Sequence, residues 1–296
     1  NPLGMDRELK FEGSTELDNG ITVTVYQDTT DNLGYGDAKI TFGGVAGMFD
    51  IYVGADGSPV DAIDDVTPSA YEEANGSGSG TYTSNDIGGL AGEMGIGVKT
   101  TLPILGAIDA KYIPKVDGAE NSDNASSGNA ANSSGSGQSI SIKTNLGELP
   151  IVGSYLDGAT LTTGYEEDEV STVANTEDLY DITAALNYTT GAFSLGVQKK
   201  LHNEGQSAAT TDATWYKDTA IGIAYAVNDN LSISYNIYDS YKHDNTGAVE
   251  QESTAINVGY SVGGMTIGFQ EAETSGNNYT ANSTDDTRTL GVSVAF

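Results

Sequence analysis

Apolar and polar residues alternate with a period of two along almost the whole chain, the signature of strands with one apolar and one polar face. Leu9, Phe11 and Leu17 share one parity in the first segment, and Ile21, Val23 and Val25 continue it in the second. Between them "DNG", Asp18 to Gly20, is a tight-hairpin signal. The same grammar recurs in "AKITFGGV", "MFDIYVGA", "GEMGIGVKTTL", "AIDAKYIP", "QSISIKTNL", "ATLTTGYEED", "YDITAALNYTT", "AFSLGVQKK", "TAIGIAYAV", "LSISYNIYD", "STAINVGYSV", "MTIGFQEAE" and "TRTLGVSVAF". About fifteen strands are predicted, with "IVGSYLDG" the one stretch of unclear type.

Two kinds of connection alternate. Turns near 18–20, 43–47, 103–106, 189–192, 228–230 and 263–264 are very short, and the one beginning at 146 is looser. The others, near 27–36, 55–92, 114–137, 166–179, 201–218, 239–253 and 271–286, are long, polar and acidic. Short turns at one end and long loops at the other are the asymmetry of a transmembrane β-barrel. Such barrels close on even strand numbers. Fifteen strands therefore predict either a sixteenth ahead of Asn1 or one miscounted within "IVGSYLDGATLTTG".

Face assignment follows from parity. If Phe11, Ile40, Val98, Ile142 and Val197 face lipid, then Lys10, Lys39, Lys99, Lys111, Lys143 and Lys200 face a polar lumen. A lysine on the lipid face near the midplane would cost about 2–4 kcal/mol. Tyr26, Tyr112, Tyr165, Tyr188, Tyr225, Tyr235 and Tyr260 fall near strand ends or at outward phase, where interfacial aromatic girdles are expected. In the last strand Leu290, Val292, Val294 and Phe296 take the lipid phase, and Thr289, Gly291 and Ser293 the lumen phase.

Composition narrows the reading. The 296 residues carry 42 acidic and 12 basic side chains, a net charge of −30, which argues against a nucleic-acid partner. With no cysteine there is neither a disulfide nor a thiolate chemistry. No apolar run approaches the roughly 20 residues of a spanning helix. Residues 119–137, "AENSDNASSGNAANSSGSG", read as a flexible solvated part of the external loop 114–137.

No enzyme template fits. His202 and His243 fall in predicted external loops without metal spacing or a neighbouring nucleophile, and the acid pairs Glu72-Glu73, Glu166-Glu167 and Asp285-Asp286 cannot be matched across a cleft. "DAIDDV", residues 61–66, places three carboxylates close together, so calcium at the acidic loops is an open reading, although the spacing is not that of an EF-hand.

The segments "RELKFEGSTELDNGITVTVYQD" and "AKITFGGVAGMFDIYVGADGSPVDAIDD", with the terminal Phe296, resemble the general diffusion porins of Gram-negative outer membranes, more loosely those of alphaproteobacterial type. The resemblance implies a 16-stranded, usually homotrimeric barrel surrounded by lipid and lipopolysaccharide. It also implies a third loop that bends into the lumen and sets acids against a basic wall. Carried onto this chain, that constriction loop spans about 55–92, its acids are Asp56, Asp61, Asp64, Asp65, Glu72 and Glu73, and Lys39 matches a basic wall position. Phe296 matches the family's terminal insertion signal. The wall departs from the family in having isolated lysines where an arginine cluster is expected, and Glu8 and Glu93 stand near positions often basic, which shifts the expectation toward cations. The expected function is passive diffusion of small polar solutes and ions. The alternatives are a substrate-specific outer-membrane channel with a saturable site, and a soluble acidic β-helix or adhesin.

Overall fold

A computed structural model describes residues 4, 8–30, 34–74, 87–114, 136–169, 178–204, 214–243 and 249–294. Fifteen strands form one sheet in sequence order: β1 (Lys10–Glu16), β2 (Thr22–Thr29), β3 (Tyr35–Val45), β4 (Phe49–Gly54), β5 (Gly95–Leu102), β6 (Gly106–Ile113), β7 (Gly137–Asn145), β8 (Ala159–Asp168), β9 (Leu179–Thr190), β10 (Phe193–Asn203), β11 (Trp215–Ala226), β12 (Leu231–His243), β13 (Val249–Val262), β14 (Met265–Ser275) and β15 (Thr284–Val294). Every neighbouring pair is antiparallel. A parallel β-helix is thereby ruled out, because its successive strands would run the same way. The strand expected ahead of residue 1 lies outside the sequence, and Phe296 and residues 115–135 of the external loop lie outside the described residues.

The unclear stretch after β7 is not a strand. It holds two short 3-10 turns, Leu146–Glu148 and Gly153–Tyr155, with the Asn145 side chain accepting from Gly147 N–H at 3.0 Å. "PIL" at 103–105 and "PIV" at 150–152 both close as three-residue turns, Leu105 N–H donating to Pro103 O and Val152 N–H to Pro150 O. The central Ile104 and Ile151 sit at φ +73° and +75°, a strained setting for a β-branched residue.

Several strands run further toward the long-loop end than predicted. β11 begins at Trp215, β12 reaches His243, β13 starts at Val249 and β14 ends at Ser275. Loops predicted at 201–218, 239–253 and 271–286 are correspondingly shorter. The extra strand length carries polar residues on both faces, such as Glu250, Gln251 and Glu252, so it shows no period-two pattern although its backbone pairs as strand.

Register divides the two faces. One carries apolar residues in rows, for example Ile51, Val98, Ala110 and Ile140 across β4 to β7, and Leu186, Val197, Ile221 and Ile237 across β9 to β12. Exposure of these side chains to the surroundings, 50% for Leu195 and 69% for Leu290, marks this as an outer apolar surface. Phe193 and Tyr225 pack at 4.6 Å between ring centroids near the short-turn end. Trp215 stacks on His243 at 4.9 Å near the long-loop end, giving a second aromatic level. Toward that end the outer rows turn polar at Lys199, Thr219, Asp239 and Glu252, and Arg288 pairs with Glu271 at 2.6 Å. Six of the seven tyrosines assigned to the girdles lie on this face. Tyr26 does not: it stands opposite Lys39 and Glu12 on the other face, and its hydroxyl donates to Asp28 Oδ2.

Candidate functional site: a loop docked across the polar face

The opposite face is polar and bears the segment between β4 and β5. Its first limb, residues 55–74, crosses the wall from β4 to β15. Backbone removed from water needs partners, and side chains of the wall supply them. Val60 N–H donates to Ser139 Oγ (3.2 Å), and Gln198 Nε2 donates to Ile63 O (2.8 Å) while its Oε1 accepts from Val66 N–H (3.1 Å). Asn187 Nδ2 donates to Val66 O, Asn236 Nδ2 to Pro68 O and Gln270 Nε2 to Glu73 O, at 2.7, 2.9 and 2.8 Å. Ala70 N–H reaches Ser234 Oγ at 3.0 Å.

Beneath this limb the wall is bare. A Cβ on Gly164 would press on Ile63, on Gly222 it would overlap Pro68, on Gly259 the Ala70 carbonyl, and on Gly268 or Gly291 the Tyr71 side chain. None of these glycines has a positive φ, so space and not backbone conformation selects them. Gly259, Gly268 and Gly291 are cross-strand neighbours, so the track continues over β13, β14 and β15. The contact row slips along the strands as the limb proceeds. Ser139 belongs to the row that reaches Lys242 on β12, but the limb touches β12 at Ser234, eight residues nearer the turn end and five strands further on. At about 3.3 Å per residue and about 4.8 Å per strand the slope is about 45°. A loop held at constant height against strands tilted as in a barrel produces this slip.

The returning limb is pinned to carboxylates. Gly88 N–H donates to Asp181 Oδ2 (2.9 Å) and Leu90 N–H to Glu166 Oε1 (2.7 Å). His202 Nδ1 lies 2.5 Å from Asp181 Oδ1, so this histidine faces the interior from β10 and does not belong to an external loop. Residues 75–86, the middle of the predicted loop, lie outside the described residues.

The six lysines differ in setting. Lys39 pairs with Asp56, Lys200 with Asp65 (3.4 Å), Lys99 with Asp109 (2.9 Å) and Lys10 with Glu8 (4.0 Å). Lys111 donates to the carbonyls of Asp56 and Gly57 at 2.9 and 3.3 Å. Lys143 is exposed and makes no hydrogen bond or ion pair among the described residues. Lys200 is wholly covered and also sits 5.0 Å from the centroid of Tyr238. Tyr52, between Lys39 and Lys99 at 5.8 and 5.5 Å, donates its hydroxyl to Asp109 at 2.8 Å.

The loop acids divide likewise. Asp56 and Asp65 are tied to wall lysines. Asp64 Oδ1 accepts from Asp65 N–H at 2.7 Å, and Asp61 N–H donates to Ser58 Oγ at 3.0 Å. Burial raises the Glu72 carboxyl above its usual range, and burial with the nearby Asp65 charge pushes Glu73 up to about 7. Among the described residues no three His, Asp or Glu side chains are grouped to hold a metal ion, so the calcium reading of 61–66 gains no geometry. The sequence reading missed the track of glycines and the Asn and Gln side chains above them. Their signal was there as glycine and amide residues at inward parity.

No family model matches the sequence, and no curated protein does. Solved structures match the fold. An anion-selective porin from Comamonas acidovorans superposes with TM-score 0.66 at 11% identity over 98% of this chain and 90% of its own. A refined porin structure gives 0.65 at 14%, over 96% and 90%. OmpF of Salmonella typhi, in complex with daunomycin, gives 0.62 at 15%, over 96% and 88%. The chain thus has the β-barrel fold of the general diffusion porins. At these identities the likeness concerns fold alone.

Proposed function

We propose that the protein is an integral channel of the bacterial outer membrane through which small hydrophilic solutes and ions diffuse passively, with a preference for cations. The observation that carries this reading is the loop docked across the polar face of a sheet whose other face is apolar. A polar interior narrowed by a fixed loop lets solutes pass while retaining a size limit. The outer apolar rows, bounded at one end by the Phe193 and Tyr225 level and at the other by the polar row Lys199, Thr219, Asp239 and Glu252, suit a bilayer with lipopolysaccharide above it, and a homotrimer as in porins. No step of this function requires catalysis.

The Comamonas acidovorans structure, described as anion-selective, shows that the fold leaves ion preference open. Charge must therefore decide it. The net charge of −30, with most inner lysines compensated, favours cations by a field screened over about 8–10 Å. Reconstituted in planar bilayers, the protein should give ohmic conductance, and a salt gradient should give a reversal potential of cation sign. An anion-signed potential would overturn the preference, and no conductance the channel.

Glu73 adds a pH dependence. With its carboxyl pushed up to about 7, the site is neutral below that value and negative above it. Cation preference should therefore rise as pH passes from 6 to 8, and Glu73→Gln should flatten the rise. Because the folded value lies above the unfolded one, the docked state binds the proton more tightly, so loop docking weakens as pH climbs from about 4.5 toward 7.

A further inference from the structure

On the short-turn side of the first limb, between Ile63, Asp65 and Val66 of the loop and the wall strands β7, β8 and β9, lies a cavity of about 500 Å³. Its wall includes Lys143, Thr160, Thr162 and Asn187. Register explains the grouping: Lys143 stands directly across from Thr162, and Thr160 directly across from Asn187, all on the face that bears the loop. The size falls within the range of small-ligand sites, about 300–1,000 Å³.

Lys143 is the unusual member. Each of the other five lysines assigned to the lumen by parity is tied to an acid or to loop carbonyls, in a chain with 42 acids to 12 bases. Lys143, exposed and without a hydrogen bond or ion pair among the described residues, is the one of the six that lines this cavity. Across from it the loop contributes Asp65, whose Oδ1 is the atom facing Lys200. Thr160 and Thr162 line the same cavity, and Ile63 and Val66 give an aliphatic border. Cation, anion, hydroxyls and a short apolar edge in one cavity match the chemistry of a small zwitterion.

We propose that this cavity is a solute subsite for free α-amino acids with small side chains. Lys143 receives the carboxylate, Asp65 the ammonium, and the Ile63 and Val66 edge the side chain. The inference rests on the channel reading above and adds to it a saturable class of permeant.

Proteoliposomes containing the protein should take up labelled alanine along a saturating curve at millimolar concentrations, while labelled glycerol enters linearly. Lys143→Met should raise the half-saturation concentration at least about tenfold, whereas Lys143→Arg should retain saturation. Thr160→Val, which leaves both charges in place, should shift the same curve in the same direction by a smaller factor. Glycerol entry and ohmic conductance in each variant establish that it has folded and inserted. Linear alanine uptake by the native protein, or a curve unmoved by Lys143→Met, overturns the subsite while the channel stands. Failure of glycerol to enter through the native protein overturns both.

Discussion

Gly268→Leu and Gly222→Val are each expected to narrow the channel and to destabilise the docked loop by about 1–3 kcal/mol, the usual cost of inserting side-chain atoms into a filled space. The direction follows from how the loop is held. A new side chain at 268 occupies the position of the Tyr71 ring, and one at 222 that of the Pro68 carbonyl. The returning limb remains tethered at Asp181 and Glu166 and the start of the loop at Lys39 and Lys111, so the first limb has no way outward. It is displaced toward the bore. Single-channel conductance should fall in both variants, and protease should cut the loop faster. Conductance equal to that of the native protein would mean that the limb does not lie on the wall. Gly13→Ala makes a suitable control, because a Cβ there meets nothing within 4 Å.

Lys200→Met is expected to be the most damaging single change in the wall. The ammonium is fully covered, faces Asp65 of the loop at 3.4 Å, and stands across the ladder from the buried Asp218. Removing one partner from a fully buried ion pair costs about 3–5 kcal/mol; Asp65 keeps 20% of its side chain exposed and borders the cavity, so a loss at or below about 3 kcal/mol is expected. The thermal midpoint in detergent should drop accordingly. Adding Asp65→Asn should recover part of the loss, since it neutralises the loop carboxylate left behind. A midpoint unchanged by Lys200→Met would show that the pair contributes no stability. The same variant should also raise cation preference, because it deletes a positive charge and leaves the Asp65 carboxylate without its wall lysine.

Most of the barrel could be read from residue order because period-two alternation is imposed by the pleat and by a surround that is apolar on one side only. Where both sides are polar, the physical cause of the alternation is gone. Strand length beyond Asp239 on β12 and before Ser253 on β13 was for that reason read as loop. Tyr26 was misplaced for a related reason: tyrosine suits a membrane interface and a polar wall equally, and only its ladder partners Glu12 and Lys39 settle the side. For the site, residue order placed the lysines by parity and the loop by resemblance. It could not pair Lys39 with Asp56 or Lys200 with Asp65, because those contacts depend on how far round the wall the loop travels. Gln198, Asn236 and Gln270 looked like ordinary lumen polarity until the loop carbonyls and amides lay against them.

The reach of the first limb also sets an order of events. Val66 and Gln198 are 132 positions apart in the chain, Pro68 and Asn236 are 168, and Glu73 and Gln270 are 197. Contacts between such distant positions form only after the entropy of closing the intervening chain has been overcome. The amides that receive this limb, and the glycines that make room for it, do not stand side by side until β10 through β15 are zipped together. Docking of the loop is therefore expected to require prior pairing of β10 through β15, so in refolding the loop should gain protection from protease only after those strands are protected.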